Sequence, residues 1–176
     1  MCSLKIYQNK NLKYELINKF CYNNIKELPI LKKITLNLGC KSTNLLNITT
    51  SLLALELISN QKGKITTANR QNLALKIKKR EPAGCNLSLT KKKTYFFHKI
   101  LVEILKKLKQ FDGIPIKYNK NSVSWTIKNP FYFDSLDKHY YLFNNLPNLN
   151  ITIVTSSSDK KETSFILKSF KLPLKL

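Results

Sequence analysis

The sequence predicts an α+β fold: a mainly antiparallel sheet with helices packed on one face and an open polar face on the other. Three observations carry that expectation. Short runs of alternating apolar and polar residues recur along the chain, each with one buried and one polar side. Longer segments whose apolar residues repeat at helical spacing separate them. The 176 residues are 43% hydrophobic and 10% aromatic, enough to fill the core of one compact domain. Half-buried strands among helices are characteristic of a sheet covered on one side only.

The elements follow in order. A first helix is expected over 9–20, where Leu12, Leu16 and Phe20 form a stripe, and Pro29 bounds it. Ile34, Leu36 and Leu38 alternate with Lys33, Thr35 and Asn37 to give a strand that Gly39 ends. Ser42 or Thr43 could cap a second helix carrying Leu45, Ile48, Leu52 and Leu55, which stops near Gly63. Period two returns in Leu73, Leu75 and Ile77 and again in Cys85, Leu87 and Leu89, with Pro82 and Gly84 between the two runs. A third helix over 94–110 turns Phe97, Leu101, Ile104, Leu105 and Leu108 inward and Lys99, Lys106, Lys107 and Lys109 outward, ending at Asp112-Gly113. Two further strands centre on Trp125 and Ile151. The last helix starts near Asp159, whose spacing to Glu162 suits a capping box, and stops before Pro173.

Charge is the strongest functional signal. Thirty-one Lys and Arg face ten Asp and Glu, a formal net charge of +21, and no carboxylate falls between Leu57 and Arg80. Self-repulsion of that size destabilises a compact state unless a polyanion neutralises it. The open sheet face, with Lys33, Thr35, Asn37, Asn86, Ser88, Thr90, Ser124, Thr126 and Thr152, offers the lysines, hydroxyls and amides that bond phosphates, 2′-hydroxyls and base edges. A merely solvated face has the same alternation; the charge tilts the reading toward nucleic acid. The segment with Arg70, Lys76, Lys78, Lys79 and Arg80 is expected to form a basic protruding loop at about 70–82. The Lys91-Lys92-Lys93 run at a helix start opposes the helix dipole unless an anion sits nearby.

Other classes find little support. Cys2, Cys21, Cys40 and Cys85 are widely spaced, without the CxxC or His spacing of a zinc site, so no metal, disulfide or cofactor is expected. His98 and His139 lack triad partners, the carboxylates are scattered among lysines, and the four glycines are isolated, so an enzyme is disfavoured. No apolar run reaches the ~20 residues of a membrane span, and the N-terminus lacks an h-region and an Arg-rich presequence. The alternatives are another basic RNA-binding protein or a nucleic-acid-modifying enzyme.

At Leu31-Lys32-Lys33-Ile34-Thr35-Leu36-Asn37-Leu38-Gly39 the chain resembles the first-strand signature of the large-subunit ribosomal protein family L-five, the bacterial-type protein that binds 5S rRNA. The resemblance continues in order through Asn60-Gln61-Lys62-Gly63-Lys64-Ile65-Thr66, Ala74 to Lys78, Pro82-Ala83-Gly84-Cys85, Phe111-Asp112-Gly113, Leu149 to Ile153 and Phe170-Lys171-Leu172-Pro173. It covers essentially the whole chain. It implies a structural constituent of the large subunit, without catalytic activity or cofactor. Its implied partners are 5S rRNA in the central protuberance, large-subunit rRNA, P-site tRNA, neighbouring central-protuberance proteins and the small-subunit head protein.

The resemblance also assigns residues. The family's 5S contacts correspond to Asn37, Gln61, Leu75 and Ser88, with Leu75 offering no ring where the family has Phe. The RNA-binding set expected here is Lys33, Thr35, Asn37, Gln61, Lys62, Lys64, Thr66 and Ser88, and the loop that faces tRNA or rRNA carries Arg70, Lys76, Lys78, Lys79 and Arg80. The family's acidic segment near the small-subunit head is largely replaced by Tyr140-Tyr141-Leu142-Phe143-Asn144-Asn145. A composition rich in Lys, Asn, Ile, Tyr and Phe, all available from AT-rich codons, and a start near that of the family point to a mitochondrial ribosome, with plastid or bacterial cytoplasm as alternatives.

Overall fold

The computed structural model describes residues 11–40, 43–90, 93–107, 114–119, 121–143, 145–157 and 159–175. Its strands are β1 (Leu31–Gly39), β2 (Lys64–Thr67), β3 (Pro82–Leu89), β4 (Ile114–Pro115), β5 (Lys117–Asn119), β6 (Ser122–Ile127), β7 (Leu149–Thr155) and β8 (Leu174–Lys175). The helices are α1 (Lys13–Lys19), α2 (Leu45–Ser59), α3 (Lys93–Lys99), α4 (Leu105–Lys107), α5 (Asp134–Asp137) and α6 (Lys160–Ser169), with a π-helical stretch, Ile100–Ile104, joining α3 to α4. A six-stranded sheet runs in the order β2-β3-β1-β7-β6-β5, and β4 pairs with β8 separately. The β2/β3 and β5/β6 pairs are antiparallel. The fold is α+β.

Two compact units share these elements. One comprises residues 35–88 and 126–151; the other comprises 1–34, 89–125 and 152–176.

In the first unit, α2 lies beside β2 and is tied to β3 at Cys85. Its buried residues Ile48, Ser51, Ala54, Leu55 and Ile58 keep helical spacing, whereas Leu45, expected in that stripe, is exposed. The cap is neither Ser42, which lies outside the described residues, nor Thr43. Asn44 accepts from the Leu46 amide at 3.2 Å, because its Oδ1 reaches the free N–H groups of the first turn. Asn60 closes the helix in the left-handed region at φ 52°. Pro82 and Gly84 belong to β3 rather than interrupting it. Pro82 is tolerated as its first residue, beside the register shift between Thr66 and Thr67.

Cys40 and Cys85, far apart in sequence, both reach α2. The Cys40 thiol lies 3.4 Å from the Ser51 hydroxyl, and the Cys85 thiol donates to the Ile48 carbonyl at 3.4 Å. Burial first, and then Cys40, push the Cys85 thiol from 9.0 up to about 11. A thiol with a raised folded pKa adds stability that is present below its unfolded value and lost as pH climbs from 9 through 11. Iodoacetamide at about pH 8 is expected to label exposed Cys21 while Cys40 and Cys85 resist until denaturant is added. Peptide mass mapping checks this, and rapid labelling of Cys85 in the native protein would contradict it.

In the second unit, Leu12, just before α1, and Leu16 of α1 pack with Leu28, Ile166 and Phe170, and the Phe97 ring stacks on Phe170 at 5.1 Å between centroids. The start of β1 is tied to the end of β7 by the Ser156 amide on the Ile30 carbonyl, 2.9 Å. Asp159 precedes α6 without a side-chain cap; its carbonyl instead accepts from the Thr163 amide and hydroxyl, each at 3.2 Å. In the expected third helix Phe97 and Ile104 are buried as expected, but one outward position is not exposed. Lys99, placed outward by a 3.6-residue period, is 8% exposed and has a partner, while Phe96 and Ile100 are buried. The π-helical stretch Ile100–Ile104 follows Lys99 directly. Leu108, Lys109 and Asp112-Gly113 lie outside the described residues.

Candidate nucleic-acid interface

Strand alternation builds the site. On β1 the burial pattern leaves Lys33 and Asn37 exposed and Thr35 half-buried, while Ile34, Leu36 and Leu38 go inward. On β3, Cys85, Leu87 and Leu89 face the core, so Asn86 and Ser88 project the other way. The antiparallel register sets Lys64 opposite Asn86 and Thr66 opposite Gly84, adding both side chains to this polar face.

Gly84 permits the strands to meet. A Cβ there would lie 2.6 Å from the Leu38 carbonyl oxygen and 3.3 Å from the Gly39 Cα. The Cys40 amide donates to the Ala83 carbonyl at 2.9 Å, so the end of β1 lies against the start of β3.

Gln61, just beyond the left-handed Asn60, donates from its side chain to the Ser88 carbonyl at 3.5 Å. The chain thus brings Gln61, Lys62, Lys64 and Thr66 around Asn86 and Ser88 as a pocket of about 400 Å³. Asn86 lines it, and its Oδ1 is buried with no hydrogen-bond partner among the described residues. A buried acceptor left unpaired costs about 1–3 kcal/mol, so the amide gains by turning its oxygen to a donor. Asn86 is on the expected polar face but not among the expected contacts. Its alternation with Cys85 was the only available signal, because its isolation depends on how β2 and β3 pair.

The basic loop departs from expectation. The run Leu73, Leu75 and Ile77 does not form a strand. Asn72 and Ile77 exchange backbone hydrogen bonds of 2.8 and 3.0 Å across a tight turn, and the Asn72 side chain accepts from the Leu75 amide at 3.3 Å. Asn-centred turn chemistry overrides a three-residue apolar alternation. Ile77 is buried whereas Leu73 is 84% exposed. A second turn follows, in which the Lys78 amide donates to the Glu81 carboxylate at 2.7 Å and the Arg80 amide to the Ala68 carbonyl at 2.8 Å. Lys76 and Arg80 adopt positive φ, 52° and 71°. Arg70, Lys76, Lys78, Lys79 and Arg80 are all exposed.

Lys91 and Lys92 lie outside the described residues. Among the described residues no three His, Cys, Asp or Glu side chains gather as a metal site, and no helix is long and apolar enough to cross a membrane.

Residues 82–174 match the model for the C-terminus of the ribosomal L-five protein family. Over 99% of its length the chain is 33% identical to large ribosomal subunit protein uL5m of Reclinomonas americana, covering 98% of that protein. It is 32% identical to uL5 of Nitrosomonas europaea, covering 99% of each, and 28% identical to uL5 of Blochmanniella floridana, covering 99% of this chain and 94% of that one. The chain belongs to the uL5 family. It is a structural protein of the large ribosomal subunit and not an enzyme.

Proposed function

We propose that this uL5 protein holds 5S rRNA in the central protuberance through the polar face of β1 and β3, and that the basic loop reaches toward P-site tRNA. The observation that carries the first part is the pocket around Asn86, where neutral hydrogen-bonding groups and lysines converge. Exposed Asn37 on β1 extends the same surface. Lys33, Lys62 and Lys64 engage phosphates and set affinity. Asn37, Gln61, Asn86 and Ser88 engage sugars and base edges and set register. Large-subunit rRNA, neighbouring central-protuberance proteins and the small-subunit head protein are the remaining proposed partners. The uL5m relative and the codon-linked composition support a mitochondrial ribosome.

Filter binding to 5S rRNA across a salt series tests this. Replacing Lys62 or Lys64 with Gln should weaken binding and lower the log-log salt slope by roughly 0.7 to 0.9 for each phosphate no longer neutralised. Asn37→Ala should instead cost about 1–3 kcal/mol at an unchanged slope, because it strands an RNA polar group without removing charge. Binding of Asn37→Ala equal to that of the unaltered protein would remove 5S rRNA from this face.

A further inference from the structure

We infer a second RNA site, for an unpaired nucleotide and its flanking phosphates, in the pocket formed by α1, β5 and α6. It is built from elements other than those of the polar face and rests on membership of the large ribosomal subunit, not on the assignment of 5S rRNA.

The pocket holds about 430 Å³, and among the described residues no carboxylate lines it. Four lysines, Lys19, Lys160, Lys161 and Lys168, stand around apolar walls made by Phe20 and Phe165. Those rings meet edge to face, 5.9 Å between centroids and 76° between planes. The Lys19 ammonium lies 4.4 Å from the centre of the Phe165 ring, which holds a flexible cation in place at the rim. Such a combination of rings with cations is what single-stranded nucleic acid requires.

Two further features bear on the ligand. Tyr118 lines the pocket, and its hydroxyl is buried with no partner among the described residues. Lys160 and Lys161 share the first turn of α6 with Glu162, so cations there stand beside a carboxylate that the helix dipole favours. An RNA segment gives the lysines an anion and, when the Tyr118 ring turns toward the pocket, gives its phenol a phosphate or base oxygen to bond.

Lys160 and Lys168 are eight residues apart on one helix, a separation of about 12 Å along its axis. That suits successive charges on a strand better than a lone carboxylate. An acidic peptide would satisfy the lysines but leave the ring-walled, hydroxyl-bearing interior unused.

The test uses the full chain, a fluorescein-labelled octauridylate probe and anisotropy across a salt series, with ultraviolet crosslinks mapped by mass spectrometry. Lys160→Gln/Lys161→Gln is compared with the charge-matched Lys13→Gln/Lys26→Gln, whose exposed lysines do not line the pocket. The first pair should weaken binding about fivefold or more and lower the slope by about 1.4, against little change for the second. Tyr118→Phe should weaken it roughly 2- to 10-fold with slope and melting temperature unchanged. Crosslinks should fall on Tyr118 or Phe165 and persist in Asn37→Ala, which separates this site from the 5S assignment. Equal losses in the two lysine pairs, crosslinks confined to other peptides, or a silent Tyr118→Phe with displacement by polyglutamate would each overturn the proposal.

Discussion

Gly84→Ala is expected to cost about 3 kcal/mol of folding stability, at the upper end of overpacking penalties, because the new methyl has no side chain to displace. Its nearest neighbours would be backbone atoms of β1, the Leu38 carbonyl oxygen at 2.6 Å and the Gly39 Cα at 3.3 Å. Relief therefore means parting β3 from β1. For a chain of this size the loss corresponds to a drop in melting temperature of about 6–12 °C. Gly39→Ala is the matched control, since nothing lies within 4 Å of its added Cβ, and it should stay within about 0.5 kcal/mol of the parent. Scanning calorimetry of both variants decides it; equal melting temperatures would mean that β1 and β3 do not approach so closely. If Gly84→Ala still folds, 5S rRNA binding should fall with stability, because Asn37 and Ser88 would no longer share a continuous surface.

That close approach shows which features local pattern could reveal. The alternation of Ile34, Leu36 and Leu38, and of Val123, Trp125 and Ile127, specifies strand faces directly, since each side chain's environment follows from the two-residue period. The polar face was visible for the same reason. The need for Gly at 84, the pairing of Lys64 with Asn86 and the meeting of Cys40 with Cys85 all depend on which strands become neighbours, and no local period encodes that. Local pattern also misled where two signals competed. Asn72 and the left-handed Lys76 made a turn from residues that alternate like a strand, and Lys99, assigned outward by a 3.6-residue period, is buried. The pocket beside Tyr118 left no sequence signal beyond the scattered lysines of α6, because its walls come from three distant segments.

The basic loop combines local strain with exposed charge. A non-glycine residue in the left-handed region costs about 1–2 kcal/mol, yet Arg80 sits at φ 71° with its side chain in solvent. The Arg80 amide on the Ala68 carbonyl and the Lys78 amide on the Glu81 carboxylate close the second turn, and in both the loop's basic residues act through backbone donors. Exchanging the side chains of Lys78, Lys79 and Arg80 for Gln therefore leaves those bonds in place while removing three charges. Melting temperature should hold or rise, since mutual repulsion falls. Binding of P-site tRNA to large subunits carrying the triple variant should weaken by at least about tenfold near 0.1 M salt, and the salt slope should shrink by roughly two to three, one phosphate per charge. Arg80→Gly separates the effects of strain and charge: glycine accepts the positive φ, so stability should rise by up to about 1 kcal/mol while a single phosphate goes unneutralised. A marked fall in the triple variant's melting temperature would show that these side chains support the fold. Unchanged tRNA retention in a stable triple variant would show that the loop's charges do not touch tRNA.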